Sequence, residues 1–384
     1  MNVEDIRESI SVYQLRGIDG RPSLAGVSRE ELLLLIKKVS GKVLKELVEI
    51  DLDKAVDEYR NVYDDPESFP SNIDLKMYLK PLTPLRSYPL PDYKSLLRSF
   101  EGDLLAGFDS SSHSPRSHGD PSYLLVNMGF NLWGYGRGSG VSDRRYVPYF
   151  VLIKNYEVDL RVIEKFVEHE FLREFVDYLM DIRERMGFRD IYIFFDESFN
   201  LSYTYSFAKE LRDVYIELYR DLFSYLDENR IVYAGVFYTG STLISKVLKL
   251  MGKIDFEVRD RAIMDNVLEE GSHSQVFHVY SEALEEHDID VYAVYLKISD
   301  YNIVRVEFPS SIYSSRRYVD VLRAVYLDAI RGRGYPYLLG KAHESCVLRG
   351  DIRRFIEVDI ANTLKGSYVK SISGKSLRKW RRLV

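Results

Sequence analysis

The chain has 384 residues, 46% hydrophobic and 29% charged, the balance of a soluble globular protein with room for two or three domains at about 150 residues each. Its 53 basic and 59 acidic residues leave a net charge of −6, which argues against a uniformly basic nucleic-acid coat, although segregated charge escapes that test. Apolar runs such as Leu32–Ile36 and Tyr149–Ile153 fall far short of the about 20 residues of a membrane helix, Met1-Asn2-Val3-Glu4-Asp5 shows no secretory leader, and Cys346, the only cysteine, excludes internal disulfides and cysteine metal cages, so a reduced cytoplasm is expected.

Residues 1–100 read as a helical and irregular N-terminal extension. Ser28 and Glu31 make a capping box ahead of Leu32, Leu33, Leu35 and Ile36, and the apolar spacing continues through Val39, Val43, Leu44 and Leu47. Pro66, Pro70, Pro81, Pro84, Pro89 and Pro91 then predict an extended connection over a surface. From about 103 the texture turns to strands: Leu104–Phe108, Tyr123–Asn127 with Phe130–Trp133, and Val147–Ile153 suggest a meander. A helix is predicted over 160–186, with Phe166, Phe171, Phe175, Val176, Leu179 and Ile182 at helical spacing. Strand Ile191–Phe195, helix 206–228, strand Ile231–Tyr238 and helix 242–251 come next. Beyond them lie strands Val276–Tyr280, Val291–Ile298 and Ile303–Phe308, and helices at 317–331, 337–348 and 351–364. Antiparallel strands followed by strands alternating with helices imply an α/β mixed sheet flanked by helices. After Asp359 no acidic residue occurs, so 365–384, with Lys365, Lys370, Lys375, Arg378, Lys379, Arg381 and Arg382, is a basic tail: either a solvated terminus or a nucleic-acid contact.

Two aspartates share one context. Asp109 ends the run Leu104-Leu105-Ala106-Gly107-Phe108 and precedes three serines; Asp196 ends Ile191–Phe195 and precedes Glu197-Ser198. In open α/β sheets ligands bind beyond strand ends, and paired carboxylates there suit Mg²⁺ or Mn²⁺, which prefer oxygen ligands. A single strand-end Asp is more often a turn former or a cap; two in matching contexts make the ligand reading an equal competitor. A third carboxylate is sought on the intervening helix, where Glu174 lies on the Phe171–Phe175–Tyr178 side and Asp177 on the polar side with Arg173 and Asp181; a solvated Glu is the alternative. Gly334-Tyr335-Pro336 opens the last helix, about two turns before His343. A phenol and an imidazole so placed suit a phosphate or a metal-bound water, or else a buried Tyr and a satisfied His. Other patterns fail. Gly134–Gly140 lacks the strand–turn–helix setting of a dinucleotide loop and reads as a hairpin turn. Ser373-Gly374-Lys375-Ser376 follows Val369 where a Walker loop needs glycine, His169-Glu170 lacks a second histidine, and nothing marks Cys346 as a nucleophile.

In order along the chain, Asp109 with its serines, Phe194-Phe195-Asp196-Glu197-Ser198, Tyr233-Ala234-Gly235-Val236, Asp260-Arg261, Gly271-Ser272-His273-Ser274, Arg305-Val306-Glu307-Phe308-Pro309, Gly334-Tyr335-Pro336 and Ala342-His343 resemble the motifs of the NurA nucleases, archaeal and bacterial DNA-end-processing enzymes. The resemblance covers about 104–358. It implies an RNase H-like nuclease domain over 101–364 and Mn²⁺- or Mg²⁺-dependent cleavage of DNA, with 5′–3′ exonuclease and single-strand endonuclease action. It also implies a homodimer docked on a HerA-type hexameric ATPase in end resection and recombinational repair. It carries metal ligation to Asp109 and Asp196 and active-site roles to Tyr335 and His343, with His343 also taken as a metal ligand; the family's helix-borne Glu has no counterpart by spacing, and Glu174 is taken for it as a further ligand. The chain departs from the family at Ser110 and Glu197, where glycines are usual, and at Phe237-Tyr238, where a basic residue is common. A catalytically weak adaptor of the motor and another RNase H-like nuclease, one preferring RNA, are the competing expectations.

Overall fold

The structure is a computed structural model that describes residues 51–113, 123–136, 141–152, 160–300 and 302–348. The chain divides into two compact units, Met1–Lys54 and Ala55–Val384; the first lies almost wholly outside the described residues, and the sheet with its site belongs to the second. The N-terminal capping box, the expected helix at 351–364, the basic tail and Ser373–Ser376 also lie outside the described residues.

The described strands are β1 (Met77–Pro81), β2 (Tyr88–Pro89), β3 (Asp103–His113), β4 (Tyr123–Tyr135), β5 (Ser142–Leu152), β6 (Ile191–Phe195), β7 (Val232–Phe237), β8 (Ser272–His273), β9 (Phe277–Ser281), β10 (Val291–Ser299) and β11 (Asn302–Pro309). The longer helices are α1 (Leu52–Tyr63), α2 (Tyr93–Ser99), α3 (Leu160–Met186), α4 (Lys209–Glu228), α5 (Leu243–Leu250), α6 (Asp260–Val267), α7 (Tyr318–Arg331) and α8 (Tyr337–Cys346). All strands join one sheet of order β1-β9-β10-β11-β7-β6-β3-β4-β5, with β8 pairing β10 and β2 pairing β8. The meander β3-β4-β5 is antiparallel, and β6 and β7 add parallel to β3. With α3 between β5 and β6 and α4 between β6 and β7, this is the RNase H-like arrangement. Among the described residues no helix is long and apolar enough to cross a membrane.

The meander and the strand–helix alternation follow the apolar runs. Gly134 N donates to Val141 O at 2.8 Å and β4 pairs antiparallel with β5, on either side of residues 137–140, which lie outside the described residues. All five residues of β6 are buried, as a strand covered on both faces requires. Several features differ from the sequence reading: β3, expected to close at Asp109, runs on along β4 to His113. The proline-rich stretch supplies the edge strand β1, which ends on Pro81, a position where the missing N–H costs the sheet nothing. Residues 260–267 form α6, too short for its periodicity to stand out. Phe166, counted into the apolar stripe of α3, stays 53% exposed, because it shares a side of the helix with the exposed Glu170 and Asp177, while Val162, His169, Leu172 and Val176 are buried.

The face opposite α3 is covered by α8, and glycine makes the close approach possible. A Cβ at Gly107 of β3 would meet the Leu338 carbonyl carbon at 2.5 Å and Leu339 N at 2.6 Å, backbone atoms that cannot turn aside. We expect Gly107→Ala to lift α8 from β3 and to destabilise the protein by about 1–3 kcal/mol, read as a lower urea midpoint; an unchanged midpoint would mean that α8 is not seated there.

Candidate active site

Register brings the two aspartates together. Leu104 pairs with Ile191 and the match continues to Phe108 with Phe195, so Asp109 and Asp196 are the next residues on neighbouring parallel strands, and Asp196 N still donates to Phe108 O at 3.3 Å. Phe108 and Phe195 pack under α3, so alternation turns Asp109 and Asp196 toward the α8 face. There His343 Nδ1 lies 2.7 Å from Asp109 Oδ2, Cys346 Sγ donates to the same oxygen at 3.2 Å, and Tyr335 OH donates to Asp196 Oδ1 at 2.8 Å. Four of the five residues singled out in the sequence, Asp109, Asp196, Tyr335 and His343, thus meet at one end of the sheet.

Glu174 does not join them. It is exposed on α3 and stands apart from the cavity beside the aspartates. A helix rises about 1.5 Å per residue and a strand about 3.3 Å, so α3, running back along β3 from its C-terminal end, reaches the strand tip only in its N-terminal half. Glu168 is there: buried, it accepts from Ser110 Oγ at 2.8 Å and from Lys165 Nζ. Lys165 also donates to Glu197 Oε2 at 2.9 Å. Asp109, Ser110, Lys165, Glu168, Asp196 and Glu197 line a cavity of about 290 Å³, at the small end for ligand sites. Glu168 and Lys165 are the functional candidates that sequence reasoning missed, and the relative rise of helix and strand is the signal that would have found them.

The electrostatics are those of crowded negative charge. Burial pushes the Asp196 carboxyl upward; the bond from Tyr335 opposes this, and the charge of Asp109 adds to it. Glu168 rises to about 7, through burial first, with Lys165 opposing. Burial also drives Tyr335 far up, helped by Asp196, so the phenol keeps its proton and remains a donor. Burial disfavours the charge on Lys165, but Glu168 and Glu197 outweigh it and keep the ammonium protonated. Glu197 Oε1 is buried without a hydrogen-bond partner. An oxygen-rich donor set, like charges side by side and an orphaned carboxylate oxygen fit a divalent cation held by Asp109 and Asp196, with Glu168 and His343 at its edge.

Pins outside the cavity hold these groups. Asp328 Oδ2 accepts Leu338 N at 2.8 Å at the start of α8, and Asn127 Nδ2 donates to Cys346 O at 2.8 Å at its end, beside the Ser111 hydroxyl; together they satisfy terminal groups that a buried helix cannot leave bare. Glu307, fully buried and paired with Arg305 at 2.7 Å, accepts Phe199 N at 2.7 Å and Asn200 N at 3.1 Å, fixing the turn beyond Asp196. Asp260 accepts Ile244 N at 2.9 Å, and Ser272-His273 forms β8. These motif residues build the scaffold and do not line the cavity.

A NurA-domain family profile matches residues 103–348, from the start of β3 to just beyond α8. The chain belongs to the NurA family. No curated protein matches it by sequence. Among solved structures it is similar to the NurA nuclease from Sulfolobus solfataricus, at 13% identity over 88% of this chain and 98% of that one, TM-score 0.48. It is also similar to a NurA with manganese, at 11% identity over 85% and 99%, TM-score 0.41, and to a NurA bound to dAMP and manganese, at 10% over 87% and 98%, TM-score 0.38. The departures from the NurA motifs have partners of their own in this chain. Ser110 bonds Glu168, Glu197 holds Lys165 and Tyr219, and Tyr238 stacks on Tyr335 at 4.9 Å while donating to Gly334 O at 3.0 Å.

Burial raises the Asp328 carboxyl to about 6, against the Leu338 N–H and the Arg331 charge, which lower it. A carboxyl raised on folding binds its proton better in the native state, so its effect is to lower stability as pH climbs from the unfolded value near 4 through 6. Relative to Asp328→Asn, the wild type should lose about 2–3 kcal/mol across that window in urea unfolding at stepped pH; parallel curves for the two proteins would contradict it.

Proposed function

We propose that this NurA-family protein is a divalent-metal-dependent nuclease that hydrolyses DNA phosphodiester bonds. The observation that carries the reading is the meeting of Asp109 and Asp196 where the parallel pairing of β3 with β6 ends, with Tyr335 on one carboxylate and His343 on the other. Asp109 and Asp196 would hold Mn²⁺ or Mg²⁺, and such an ion supplies a nucleophilic water at neutral pH and neutralises charge on the phosphate.

The chain's own residues supply the rest. Tyr335, kept protonated, fixes one oxygen of Asp196, whose side chain lines the cavity. Its ring is in turn held by Tyr238. His343 is 59% exposed and still bonded to Asp109, a position from which an imidazole exchanges a proton with a departing oxygen and with solvent. Lys165 places a fixed positive charge in the cavity wall, where it attracts a phosphate against the surrounding carboxylates. The small cavity suits a single phosphate group and excludes a stacked base pair.

Family membership extends the proposal to a homodimer working with a HerA-type hexameric ATPase in DNA end resection, as a 5′–3′ exonuclease and single-strand endonuclease. On labelled DNA with Mn²⁺, Asp109→Asn and Asp196→Asn should each lower the cleavage rate about a hundredfold or more, and Glu168→Gln should also slow it, while Glu174→Gln cuts like the wild type. Equal cleavage by wild type and Asp196→Asn would remove the catalytic assignment; loss of cleavage in Glu174→Gln would restore that residue as the helix-borne carboxylate.

A further inference from the structure

The Asp109 end of the site holds a ligand set that hard-metal chemistry does not require. His343 and Cys346 are three residues apart on α8 and so share one face of the helix, the face laid over the tip of β3. Both reach the same oxygen: His343 Nδ1 at 2.7 Å and Cys346 Sγ at 3.2 Å from Asp109 Oδ2. The carboxylate, imidazole and thiol donor atoms all lie within 4.8 Å of one another, a span that a tetrahedral ion at about 2.0–2.3 Å from each ligand closes with small side-chain adjustments. The thiol is the only one in the chain, and it is buried at this spot. Mg²⁺ and Mn²⁺ take oxygen and leave sulfur aside, whereas a thiolate beside an imidazole and a carboxylate selects Zn²⁺.

We propose that Asp109, His343 and Cys346 form a Zn²⁺ site that overlaps the Mn²⁺/Mg²⁺ site, and that zinc bound there holds the enzyme in an inactive state. The inference rests on the nuclease reading for its consequence, not for its ligands. On binding, the Cys346 S–H bond breaks, its proton leaves to solvent and a Zn–S bond forms; no electron is transferred. Three protein ligands leave one position to water. Asp109 and His343 are then committed to zinc, so Mn²⁺ loses a carboxylate and the reaction loses its imidazole. Removal of zinc by a chelator returns both.

The test uses metal-free full-length protein and Co²⁺ as the spectroscopic stand-in for Zn²⁺. The wild type should show a near-ultraviolet thiolate-to-Co²⁺ charge-transfer band that Zn²⁺ abolishes by displacement. Cys346→Ser and Cys346→Ala should lack the band, and should weaken Zn²⁺ binding about tenfold or more relative to any change in Mn²⁺ binding. Circular dichroism confirms that each variant is folded; a variant that is not is replaced by the other. Wild-type protein that binds Co²⁺ without the band, or variants that hold Zn²⁺ as tightly as wild type, would overturn the zinc site and leave the nuclease reading standing. Mn²⁺ binding, read by electron paramagnetic resonance, separates the two: its absence from the wild type would count against the nuclease reading, whereas the Co²⁺ band alone decides the thiolate.

Discussion

In-register pairing of β3 with β6 is the constraint on which the site depends. The parallel pairing ends at Phe108 and Phe195, and the next residue after each is an aspartate: Asp109, where β3 runs on along β4, and Asp196, where β6 stops. Sheet hydrogen bonds and the Phe108–Phe195 packing beneath them hold the carboxylates close, although their charges repel and burial raises the cost. A protein that stores like charges in this way needs a cation to neutralise them. Lys165 does so for Glu168 and Glu197 on the α3 side, and on the α8 side Asp109 and Asp196 are where the proposed metal would sit.

Much of this was legible in the sequence because the signals were local. An apolar run closed by Asp marks where β6 ends and, in β3, where pairing with β6 ends although the strand itself runs on to His113 along β4. The Gly-Tyr-Pro turn and His343 were legible as a helix start and a polar residue two turns on. Their meeting with the aspartates depends on how α8 crosses the sheet, which Gly107 and Gly129 permit through the bare backbone they present to Leu338 and Ala342. Glu168 was not legible in the apolar stripe alone. The apolar stripe of α3 gives its rotation but not its height over the sheet, and Glu174 meets neither condition, since it is exposed on the side away from the buried Leu172, Val176 and Leu179. Nor did local pattern separate Asp260, Glu307 and Ser272, which hold the scaffold, from residues that touch substrate, because both kinds are polar residues set among apolar ones.

Where the chain departs from its family, the replacements have become part of the fabric. The glycine after each strand-end aspartate gives way to Ser110 and Glu197, and both residues tie the strand tips to α3, one through Glu168 and the other through Lys165. Tyr238 stands where a cation is common in the family and braces Tyr335 instead.

Anomalous diffraction from crystals of the full-length protein soaked in Mn²⁺ addresses the central claim most directly. The account predicts a manganese peak between the carboxylates of residues 109 and 196, and its loss in crystals of Asp196→Asn. Manganese found only elsewhere, for example at the surface group His278, Glu285 and Asp290, with both strand tips bare, would contradict it.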